Sequence, residues 1–173
     1  MRLDRAALLD PATWIASGFG AGFAPIAPGT VGSAVALLPY LGLRLAGTEW
    51  VLVACVGVFA IGVLVAQRVI DRLGSEDPGV VVIDEWVGQW LALAIIEFAV
   101  AALAPQLGTP SLPWVMAAGF LLFRVCDIVK PWPANWADRA LHGGFGAMLD
   151  DAIAGVWAGV LGVALFYGLA AIR

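Results

Sequence analysis

Residues 152–172 contain no charged side chain. A helix of that length, rising 1.5 Å per residue, crosses the roughly 30 Å of hydrocarbon in a bilayer. Residues 50–66, 87–104 and 114–125 form three more apolar runs, and residues 31–45 form a shorter one interrupted by Pro39. Lipid offers no partner for backbone N–H and C=O groups, so repeated runs of this kind cross as helices. The expected fold is therefore all-α: a polytopic membrane protein with four to five transmembrane helices. A Gly- and Pro-rich stretch over residues 13–29 precedes them and reads as an interfacial or re-entrant segment.

Composition supports this. The chain is 62% hydrophobic and 13% charged, with mean hydropathy +0.94, whereas a soluble domain is about 25% charged. Its 173 residues suit one domain, 1–173. A net charge of −4 without a basic stripe excludes nucleic acid as a partner. Cys55 and Cys126 lie far apart in apolar surroundings and read as buried free thiols. No apolar run closely follows Arg2 and Arg5, so a cleavable signal is not expected.

The basic residues orient the spans. Arg2 and Arg5, then Arg68 and Arg72, then Arg124, Lys130 and Arg139 all fall on one side of a five-span chain. The positive-inside rule makes that side cytoplasmic. Trp50, Trp86, Trp90, Trp114 and Trp132 lie near span ends, where an aromatic belt would put them.

Three polar clusters share the cytoplasmic side. The first is Arg124, Asp127 and Lys130, one residue per helical turn, followed by the helix-breaking Pro131 and Pro133. Arg124 and Lys130 suit phosphate oxygens, and Asp127 suits a metal or the orientation of Arg124. A structural Arg124–Asp127 pair with Lys130 snorkelling is the other reading. The second cluster is Asp84-Glu85 at a span entrance, a place the helix dipole alone would favour for carboxylates. The third is Asp150-Asp151, opening the last span, where a plain N-cap is the alternative.

Two acidic pairs on one face need a cation or a proton. Hard oxygen donors without a His/Cys set select Mg²⁺ or Mn²⁺. His142, the single histidine, precedes Gly143 and Gly144, whose backbone N–H groups suit an anion. Thr30 and Ser33 stand in a Gly-rich turn, either at the site or capping the first span. Glu97, in mid-span, reads as a helix-to-helix contact. The chain has no G-x-S-x-G, C-x-x-C or H-E-x-x-H, which leaves metal-activated water as the simplest nucleophile.

The order and spacing of these pieces resemble the phosphatidylglycerophosphatase A family. The matching segments run from Gly18-Phe19-Gly20-Ala21-Gly22 and Pro28-Gly29-Thr30-Val31-Gly32-Ser33 through Asp77 and Val82-Ile83-Asp84-Glu85-Trp86-Val87-Gly88. They continue through Arg124, Asp127 and Lys130-Pro131-Trp132-Pro133 to His142-Gly143-Gly144-Phe145-Gly146 and Met148-Leu149-Asp150-Asp151. Ala134 departs from the pattern, standing where an Ile commonly follows the Lys-Pro-Trp-Pro run.

The resemblance implies a Mg²⁺-dependent lipid phosphatase of the bacterial inner membrane. It would convert phosphatidylglycerophosphate to phosphatidylglycerol and phosphate in phospholipid biosynthesis. It further implies that Asp84, Glu85, Asp150 and Asp151 hold metal, that Asp127 completes the shell or acts as base, and that Arg124 and Lys130 hold phosphate. Asp151 also counts among the catalytic candidates, and His142 or Arg139 would assist the leaving alkoxide. Thr30 and Asp77 are secondary candidates. Another lipid phosphate, such as phosphatidic acid, is the alternative substrate. An ion or solute transporter is the rival class, which would distribute charge through the membrane depth.

Overall fold

The computed structural model describes residues 9–75, 78–107 and 110–172, and all of its regular structure there is helical. A short helix α1 (Pro11–Ala16) and a 3₁₀ turn (Ala21–Phe23) precede five long helices. These are α2 (Pro28–Ala46), α3 (Thr48–Leu73), α4 (Ile83–Leu107), α5 (Leu112–Val129) and α7 (Gly143–Ala171). A short helix α6 (Ala134–Ala140) joins the last two. All five long helices are long and apolar enough to cross a membrane, α4 over Ile83–Ala102. The run around Pro39 thus belongs to a helix long and apolar enough to span, and the helix continues through the proline.

Of residues 13–29, Pro28 and Gly29 begin α2, and the rest hold no helix long and apolar enough to cross. Asp10 caps α1 by accepting from the Ala12 N–H at 3.0 Å and receives Arg68 at 3.0 Å and Arg72 at 2.9 Å from the end of α3. Those hydrogen bonds hold the Asp10 carboxyl below the usual carboxylate range, the Ala12 N–H first and Arg68 next. The start of α1 is therefore tied to the end of α3.

α4 and α7 form the centre, and small residues set their separation. A Cβ on Gly155 would stand 2.7 Å from the Gly88 Cα. Gly159 meets Ile95, and Gly162 meets Ile96, one turn and two turns further along. Tyr40, Val51, Trp90, Leu93, Ile96 and Met148 fill the main core. Cys55 and Cys126 are buried free thiols, as expected.

Two tryptophans correct the belt reading. Trp50, Trp114 and Trp132 are exposed, but Trp86 and Trp90 are buried. Trp90 donates to the Ala36 carbonyl at 2.7 Å, tying α4 to α2, and Trp86 stacks near it with ring centroids 5.7 Å apart. At the opposite end from the polar clusters, Glu97 accepts from Arg44 at 2.9 Å, the helix contact expected of it.

Candidate active site

Five antiparallel spans bring the starts of α2, α4 and α7 and the ends of α3 and α5 to one end of the bundle. A cavity of about 740 Å³ opens there. Six carboxylates line it (Asp84, Glu85, Asp127, Asp138, Asp150 and Asp151) against three cations, Arg124, Lys130 and Arg139.

The two acidic pairs have different roles. Glu85 is buried and ion-paired to Arg124 Nη1. The Ser33 hydroxyl lies 2.8 Å from Glu85 Oε2 and accepts from Arg124 at 3.1 Å. Arg124 Nη2 also pairs with Asp127 at 3.1 Å. Glu85, Ser33, Arg124 and Asp127 thus form one bridge across α4, α2 and α5, and Glu85 orients Arg124. Asp84 behaves otherwise: its Oδ1 accepts the Glu85 N–H at 2.9 Å, and no cation pairs with it among the described residues.

Lys130 is not on the helix with Arg124 and Asp127. α5 ends at Val129, and Lys130 turns into the left-handed region with φ 48°. The turn still returns its ammonium to the cavity. It bonds Asp150, stands 3.5 Å from both Asp127 and Asp138, and lies 3.8 Å from Asp151. Burial lowers its proton affinity, but Asp151 and Asp150 outweigh that and push it above the ordinary lysine range.

Asp150 and Asp151 are not caps. α7 begins at Gly143, with His142 in the N-cap position, so both aspartates sit about two turns inside the helix and are buried. Ser33 is also no cap: α2 begins at Pro28 after Ala27. His142 and Arg139 are exposed on the cavity rim. Gly143 lines the cavity, with φ +73° that glycine tolerates.

Gly144 departs from its expected anion role. Its N–H donates to Gln67 Oε1 at 2.9 Å, and the residue packs against the Val63 carbonyl of α3. Thr30 does not line the cavity, although Pro28 and Gly29 beside it do. Asp77 lies outside the described residues.

Neither the Ser33 contact with Glu85 nor the place of Asp138 on the cavity follows from the sequence alone. One signal for Ser33 was its place one turn after Gly29, whose missing side chain leaves room for the Glu85 carboxylate.

The donor set fits a hard divalent cation. Every carboxylate offers oxygen, negative charge is in excess, and Asp150 Oδ1 is buried without a protein partner among the described residues. Among those residues no acidic cluster is already drawn around one point; the Lys130 ammonium stands between them. Asp84, Asp150 and Asp151 are the residues with coordination to spare.

The family model described as phosphatidylglycerophosphatase A matches residues 14–166. A protein of that name from Escherichia coli strain K12 is 39% identical over 155 residues, covering 88% of this chain and 82% of its own. Another from Haemophilus influenzae is 37% identical over 166 residues, covering 95% and 94%. A Bacteroides thetaiotaomicron relative, provisionally named a phosphatidylinositol-3-phosphatase, is 35% identical over 156 residues, covering 85% and 88%. No solved structure matches.

Proposed function

This chain is a member of the phosphatidylglycerophosphatase A family, and from that premise we propose that it hydrolyses phosphatidylglycerophosphate with Mg²⁺ at the cytoplasmic face of the bacterial inner membrane. It is a multi-pass membrane phosphatase, and its substrate class is a lipid phosphate. The observation that carries the finer reading is the convergence of Arg124, Asp127 and Lys130 with Asp84, Asp150 and Asp151, from three spans, in one cavity at a membrane end. An interfacial phosphomonoester would meet that end while its acyl chains stay in the leaflet.

Asp84, Asp150 and Asp151 would hold the metal. When bound, it would neutralise phosphoryl charge and lower the pKa of a water. The chain's own side chains do the rest. Arg124, held in the fork of Glu85 and Asp127, is pre-oriented for phosphate oxygens, which lowers the entropic cost of binding. Lys130 keeps its proton and supplies a second fixed positive charge. Asp127 faces both cations and is positioned to take a proton from attacking water. Arg139 or His142, on the rim, would protonate or stabilise the leaving alkoxide.

Charge clustered at one end argues against a transporter, which would need polar groups along its depth; further along the bundle the described residues place the part-buried Arg44–Glu97 pair. The test is phosphate release by the purified protein in detergent, with Mg²⁺ or excess EDTA. Phosphatidylglycerophosphate, phosphatidic acid and phosphatidylinositol 3-phosphate are run side by side. Metal-dependent release that prefers phosphatidylglycerophosphate is expected. Preference for another lipid would displace the substrate, and release unaffected by EDTA would remove the metal.

A further inference from the structure

Three apolar members of the cavity wall come from α2 and α5. Pro28 and Gly29 come from the first turn of α2, and Ile128 from the last turn of α5. Ile128 lines the cavity and is also 73% exposed. A side chain in both positions stands at an opening, because a closed wall would bury it.

One turn deeper the same two helices are tied together. Arg124 on α5 donates to Ser33 on α2 at 3.1 Å, and that bridge floors the slot. A Cβ on Gly29 would strike the Glu85 carboxylate and stand 3.4 Å from Arg124 Nη2, so α2 reaches the bridge only because position 29 has no side chain.

Outside the slot, α5 continues with exposed Leu121 and Val125, spaced four and three residues from each other and from Ile128, and hence on one helix face. Ile26 just before α2 and Leu38 along it are exposed as well. In a spanning helix this surface meets hydrocarbon. The exposed apolar face of α5 thus ends at Ile128, on a cavity whose rim elsewhere carries Asp138, Arg139 and His142.

Lifting acyl chains into water carries a hydrophobic cost that grows with every CH₂. A route that leaves them in the leaflet is strongly favoured over one through the aqueous mouth. We propose that the lipid phosphate enters sideways through the slot between Pro28-Gly29 on α2 and Ile128 on α5, its acyl chains lying along the Leu121–Val125–Ile128 face. The inference rests on the lipid-phosphatase reading above and makes Ile128 the threshold residue for chain-bearing substrates.

The test compares wild type with Ile128→Trp on two phosphatidylglycerophosphates. The dioleoyl lipid is presented in liposomes, and the dihexanoyl lipid is dissolved, so that it also reaches the cavity from water. The long-to-short ratio of kcat/KM is expected to fall at least about fivefold in I128W. Leu64→Trp adds the same bulk to an exposed position on α3 outside the cavity lining and is expected to keep the wild-type ratio. An unchanged ratio, an equal loss on both lipids, or the same shift in L64W would overturn the proposal. Ile128→Phe carries the comparison if I128W does not accumulate, and an unmoved ratio there is equally fatal. A wild type that releases phosphate from neither lipid would instead sink the phosphatase reading, an outcome distinct from an active wild type whose I128W ratio stays put.

Discussion

Arg124 on α5 and Glu85 on α4 form an ion pair largely sheltered from solvent, with side chains 14% and 11% exposed. Two further partners, Ser33 and Asp127, hold the guanidinium's remaining geometry. Arg124→Lys keeps the charge but loses the fork, and activity is expected to drop about 10²-fold with the protein still folded. Arg124→Ala leaves Glu85 buried and unpaired, at a cost of about 3 kcal/mol that a melting curve in detergent would register. Wild-type turnover in R124K would remove the oriented fork from the mechanism.

Asp84 and Glu85 are neighbours in the chain with different expected phenotypes. Asp84→Asn takes a donor from the proposed metal set, so turnover should fall at least about 10²-fold, with partial recovery at raised Mg²⁺. Glu85→Gln leaves the metal requirement alone and loosens Arg124, raising KM. Titration of activity against free Mg²⁺ separates them; identical Mg²⁺ curves for D84N and wild type would take Asp84 out of the metal set.

Gly88 and Gly155 make the α4–α7 crossing that aligns the acidic residues of the two helices. Gly155→Ala drives a methyl into the Gly88 backbone, and Gly88→Ala meets the Phe123 ring first and the Asp151 carbonyl at 2.6 Å. Each is expected to cost about 1–3 kcal/mol in overpacking. G88A should lose more activity than its melting shift explains, because it displaces Asp151. Activity that simply tracks stability in both variants would count against that link.

The raised proton affinity of Lys130 has a defined sign. Its contribution to stability is full below the unfolded lysine value of about 10.4 and is lost only as pH rises through the higher folded value. Melting temperature and kcat are therefore expected to show no lysine break up to about pH 10. Lys130→Met should lower both at neutral pH by leaving Asp150 and Asp151 without their cation. An alkaline break near pH 9 that K130M abolishes would contradict this.

Most of the membrane fold is legible because apolar length is a local property. Residues 152–172 need no partner to declare themselves, and α7 contains nearly all of that run. Its start at Gly143 was less visible, because Asp150 and Asp151 look like an entrance and are buried only once the neighbouring elements pack around them. Trp86 and Trp90 read as belt residues for the same reason: burial against α2 depends on a neighbour the local sequence does not name.

By itself, the sequence determined that the chain spans as helices, that its charges gather at one end, and which residue types are available there. Hydrophobic length and charge patterning act residue by residue, so they survive without a fold. Helix packing is what lets Glu85 orient an arginine while Asp84 has no cation among the described residues, turns Lys130 back among four carboxylates, and commits the Gly144 amide to Gln67. Those outcomes depend on ångström-scale distances between helices far apart in the chain, set by small residues at their crossings.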